Sequence, residues 1–75
     1  MEYAPFQQRV VDERKALEEK IATLKFFITT SEEFPCLPVE ERGRLRIQLK
    51  HMQEYSDILF QRIDHFVVQE IAKGN

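Results

Sequence analysis

Residues 17–28 read LEEKIATLKFFI, and the intervals between Leu17, Ile21, Leu24 and Ile28 alternate four and three. That spacing returns an apolar side chain to one stripe of a helix with 3.6 residues per turn. Toward the N-terminus the stripe continues through Val10 to Phe6, while Arg14, Lys15, Glu18, Glu19 and Lys25 fill the other faces. Pro5 suits the first turn of a helix, where its missing N–H has no partner to lose. Thr29, Thr30 and Ser31 weaken the pattern, so the first helix is predicted over about 5–30.

Pro35 and Pro38 bracket the strongest breaker chemistry in the chain, which sets a linker over 31–38. Ser31, followed by Glu32 and Glu33, has the chemistry to cap a short turn there. The alternation then resumes at Leu45, Leu49, Met52, Ser56, Leu59, Ile63 and Phe66, which predicts a second helix over about 39–72. Glu40 and Glu41 favour its N-terminal dipole, and Lys73 with Gly74 suits its C-terminal end. Gly43 is an internal weak point that marks a bend or a later start.

A second apolar row runs along the same segment: Ile47, Tyr55, Ile58, Val67, Val68 and Ile71. A first helix of about 26 residues does not cover two rows on a longer partner, so apolar surface is left over. The expected fold is therefore all-α. It is a helical hairpin, with a short N-terminal helix or turn and two antiparallel helices, in a single domain spanning 1–75 that assembles into a homo-oligomer.

A 75-residue chain buries little surface and usually needs reinforcement. Cys36 is the only cysteine, so no internal disulfide is possible, and His51 and His65 lie too far apart for a structural zinc. Association remains. A net charge of -2 argues against non-specific binding to duplex DNA. No stretch is apolar over the roughly 20 residues that span a bilayer, and MEYAPFQQ lacks the pattern of a secretion signal. A soluble intracellular protein with no membrane partner is expected.

No catalytic constellation stands out. Two isolated glycines make no phosphate loop, Ser56 falls on the apolar stripe as a small packing residue, and Glu18 and Glu19 read as solvated helix faces. No enzyme activity, cofactor or metal is expected. Anion binding fits better. Arg42, Arg46 and Lys50 recur every four residues on one face, and Arg9, Lys20 and Arg62 flank the apolar stripes. Tyr3 and Phe6 are aromatics near the N-terminus, and Phe6 also suits a core anchor or hydrophobic staple. An aromatic beside a cation supplies a face for a base and a charge for its phosphate.

The runs PFQQRVVDERKALEEKIATLKFFI and EERGRLRIQLKHMQEYSDILFQRI resemble a family of small helical phage proteins first catalogued as crAssphage-related. The matching positions are Phe6–Val10, Phe27–Ile28, Leu37–Glu41, Gln48, Met52, Tyr55–Ser56, Leu59, Arg62–Ile63 and Phe66, nearly the whole chain. The segment after Phe66, VVQEIAKGN, carries no family motif.

Members of that family are anti-CBASS sponges. They bind cyclic oligonucleotide messengers without cleaving them, so that host effectors stay inactive. The resemblance implies a homohexamer in the cytoplasm of the infected bacterial host, with separate pockets for cyclic dinucleotides and cyclic trinucleotides. It further implies that Phe6 stacks on a base and that Lys20 contacts the dinucleotide phosphate, with Tyr3 and Arg9 nearby. Thr23 and Arg62 are assigned to the trinucleotide pocket. Two other readings compete on the residues alone: a helical adaptor that binds a partner protein through the second apolar row, and a nucleic-acid regulator using Arg42, Arg46 and Lys50.

Overall fold

The computed structural model describes the backbone of residues 3–73 and the side chains of residues 3–66. Two helices, α1 (Pro5–Thr30) and α2 (Val39–Lys73), pack antiparallel as a hairpin, and the described residues contain no strand. Tyr3 and Ala4 are non-helical and lead straight into α1. Pro5 occupies the first turn, and the Gln7 carboxamide accepts from the Ala4 N–H at 2.9 Å, satisfying a backbone donor that the helix leaves unpaired.

A short element lies in the linker. A 3-10 turn over Phe34–Cys36 connects the helices. Thr29 and Thr30 donate back to the carbonyls of Lys25 (2.8 Å) and Phe26 (2.6 Å) at the end of α1. The Ser31 hydroxyl then accepts from the Glu33 N–H at 3.0 Å, closing the turn as its sequence context suggested. Phe34 is 4% exposed and meets the Phe27 ring edge to face at 6.0 Å. The guanidinium of Arg46 lies 5.0 Å from the Phe34 ring centre, and Arg42 Nε donates to the Leu37 carbonyl at 3.1 Å. Two members of the supposed basic face thus hold the linker against α2.

The core is one layer thick. Val10, Leu17 and Ile21 of α1 bury against Leu59 of α2, with Leu49, Met52, Ile63 and Phe66 packed around them. At the open end of the hairpin, Phe6 meets Phe66 edge to face at 6.1 Å, yet Phe6 remains 57% exposed. It is an end cap rather than a buried anchor.

Gly43 lies inside α2, which begins at Val39 without a delayed start. The pairing expected of Lys73 with Gly74 involves a residue outside those described.

Ser56, Glu18 and Arg14 depart from their sequence readings. Ser56 is buried, and its hydroxyl donates to Glu18 Oε1 at 2.8 Å. Arg14 donates to the same carboxylate at 3.2 Å and, through Nε, to the Ser56 carbonyl at 3.3 Å. Its guanidinium also lies 5.0 Å from the Phe60 ring centre. Here the interface is pinned by hydrogen bonds, because a buried hydroxyl without a partner is costly.

The hairpin measures 57 × 17 × 16 Å, with a radius of gyration of 16.8 Å, against about 11 Å for a compact domain of this length. Its accessible surface is 5884 Å², against roughly 4900 Å² for a typical monomer of 9.0 kDa. Ile47, Tyr55, Ile58, Phe26 and Phe60 are all exposed. The side chains of Val67, Val68 and Ile71 lie outside those described.

Candidate functional site

Arg9, Ala16, Lys20, Thr23 and Phe27 are spaced seven, four, three and four residues apart, which puts them on one flank of α1. Ala16, Lys20, Thr23 and Phe27 face Gln48 and Met52 of α2 across a groove of about 590 Å³. Leu24 and Glu19 complete it, and the groove is open to solvent along its length. Its exposed surface is mainly apolar. Lys20 is exposed and forms no ion pair among the described residues. The Thr23 hydroxyl donates to the Glu19 carbonyl at 3.0 Å, which leaves its oxygen free to accept. Gln48 Nε2 contacts the Met52 sulfur at 3.9 Å, a weak acceptor.

The antiparallel register explains this grouping. With Phe6 against Phe66, residues near 20–23 come level with residues 48–52. Lys20 and Thr23, assigned by resemblance to different pockets, therefore share one groove. Phe6 and Tyr3 lie elsewhere. Fourteen residues separate Phe6 from Lys20, which is about 21 Å along the helix axis. Arg62 lies one turn from Phe66, at the Phe6 end of the hairpin, roughly 20 Å along the axis from Thr23. Arg9 and Arg62 are exposed and have no ion pair among the described residues. A single chain thus presents two clusters: Tyr3, Phe6, Arg9 and Arg62 at one end, Lys20 and Thr23 in the groove.

A second groove, of about 600 Å³, lies on the opposite flank and is lined by Val11, Arg14, Lys15, Ala22, Phe60 and Ile63 among others. Its arginine is engaged with Glu18, while Lys15 beside it forms no ion pair among the described residues. Among the described residues, no three histidine, cysteine or acidic side chains gather as a metal site would need. No described helix is long and apolar enough to cross a membrane.

The sequence picked out Lys20 and Thr23 but did not place Gln48, Met52 and Phe27 opposite or beside them. Gln48 lies one helical turn from Met52, a member of the α2 stripe, so the helical period contained the signal. What was missing was the register between the helices.

No curated protein and no solved structure matches this chain. A family profile does match, over residues 4–65, which takes in α1, the linker and all of α2 up to one residue short of Phe66. That match covers most of the chain, which belongs to the Sequestin family.

Proposed function

We propose that this protein sequesters a small nucleotide messenger, binding it intact between copies of itself. The observation that carries the reading is the open, mainly apolar groove lined by Lys20, which forms no ion pair among the described residues. That pairing suits a ligand with a flat base at one end and a phosphate at the other. The name of the Sequestin family supports holding a ligand rather than converting it. Cyclic dinucleotides and cyclic trinucleotides are the ligands of choice, and the biological setting is phage suppression of CBASS signalling in the cytoplasm of the infected host.

The same geometry supports association. A groove open along its length leaves much of a bound ligand wet, whereas tight ligands are mostly buried. A second chain laid along this flank covers the ligand and the exposed row of Ile47, Tyr55 and Ile58. It also brings the Phe6 end of one protomer toward the Lys20 groove of another, which no single chain does. A hexamer is one closed assembly that meets these requirements.

Calorimetric titration with cyclic di- and trinucleotides, alongside mononucleotides and pyrophosphate-linked dinucleotides, tests this reading. Chromatography of ligand released by heating completes it. Tight binding with intact ligand is expected, and Lys20→Ala should weaken binding by roughly ten- to a hundredfold, the loss of one charge-assisted hydrogen bond. Recovery of a cleaved ligand would replace sequestration by catalysis. No binding to any member would put the adaptor reading in front, since the same row of Ile47, Tyr55 and Ile58 also suits a partner helix.

A further inference from the structure

Gln48 is exposed on α2 and lines the groove opposite Lys20 and Thr23. Its carboxamide contacts the Met52 thioether at 3.9 Å and makes no stronger hydrogen bond among the described residues. A carboxamide carries a donor and an acceptor side by side, and here both are available to a ligand. Thr23 complements it. With its hydroxyl donating to the Glu19 carbonyl at 3.0 Å, the Thr23 oxygen presents lone pairs to the groove.

We infer that Gln48 reads the edge of an adenine base held in this groove, with Thr23 accepting from the exocyclic amine. The inference rests on the groove's ligand being a nucleotide, as proposed above. Adenine places its N6 amine next to a ring-nitrogen acceptor, and the paired hydrogen bonds from glutamine to N6 and N7 are a recurrent adenine contact. The second N6 proton is then free for Thr23. Leu24, Phe27 and Met52 supply the apolar surface against which the ring lies, and Lys20 stands at the phosphate end.

Hypoxanthine is the discriminating base, because it keeps the purine shape and replaces the amine by a carbonyl. That carbonyl and the neighbouring N7 are both acceptors, so the Gln48 carboxamide can donate to only one of them and loses half of the paired contact.

The experiment titrates cyclic di-adenosine monophosphate and its inosine counterpart into the full-length wild type and into Gln48→Met. This substitution preserves length and helix preference but removes the hydrogen bonds. Circular dichroism of both proteins establishes that they fold alike, as expected for an exposed position. The wild type should prefer the adenine ligand by about tenfold or more, and Gln48→Met should weaken adenine binding by about the same factor while flattening the preference. Thr23→Val should weaken adenine binding independently. If the wild type binds both ligands equally, or if Gln48→Met leaves affinity and preference unchanged, Gln48 is not the reader and the proposal falls while nucleotide binding stands. If the wild type binds neither ligand nor any other nucleotide, both readings fall together.

Discussion

Ser56 is buried, with 2% of its surface exposed, and its hydroxyl reaches Glu18 on the other helix at 2.8 Å. Glu18 is itself engaged by Arg14, which also binds the Ser56 carbonyl. The Glu18 side chain is 45% exposed, so water screens the pair and the contribution is modest. Ser56→Ala should cost about 1 kcal/mol in urea denaturation. In a double-mutant cycle with Glu18→Ala, the two single losses should exceed that of the double variant by about 0.5–1 kcal/mol. Strict additivity would mean that the hydroxyl and the carboxylate do not couple. Along the chain, Ser56 reads as a small residue on a stripe and Glu18 as one charge among several. The partnership spans 38 positions and has no local signature.

At the level of single elements, α2 runs through Gly43 without a break. A Cβ built there meets no atom within 4 Å, so nothing in the packing requires glycine. Gly43→Ala should therefore raise stability by about 0.5–1 kcal/mol, by restricting the unfolded chain and favouring helix. A rise in the urea midpoint with an unchanged slope is the expected result. A fall would mean that the position faces another chain closely enough to exclude a methyl group. The linker teaches a related lesson. Its prolines and Ser31 announce a turn, but nothing local says that Phe34 tucks beneath Phe27 and carries Arg46 on its face. That arrangement exists because α2 returns antiparallel and brings its first turns back to the end of α1.

For the molecule as a whole, an accessible surface well above that of a typical monomer goes with a core one side chain deep. An isolated hairpin of this size is expected to be marginal. If copies of the chain bury the exposed apolar row in one another, apparent stability depends on protein concentration by mass action. The thermal midpoint should accordingly fall by several degrees on hundredfold dilution, with sedimentation showing a shift toward smaller species. A midpoint independent of concentration, with a monomeric sedimentation profile, would remove self-association. Ile58→Glu should lower the midpoint at high concentration, because it sets a charge in the row that association would dry.

The all-helical hairpin was legible in the residues because a helix is a local structure. The four-and-three alternation and the placement of prolines each act within a few positions, and no distant contact is needed to read them. The candidate cations were legible too, as charges flanking apolar stripes. Their grouping was not. Lys20 and Thr23 are neighbours on α1 by helical spacing alone, but whether they face Gln48 or Arg62 depends on which residues of α2 come level with them. That register is set by long-range packing of Val10, Leu17 and Ile21 on Leu59 and by the Phe6–Phe66 contact at the open end. Helical periodicity repeats every turn and is almost indifferent to sliding one helix along the other, so only the folded pair distinguishes one grouping from the next.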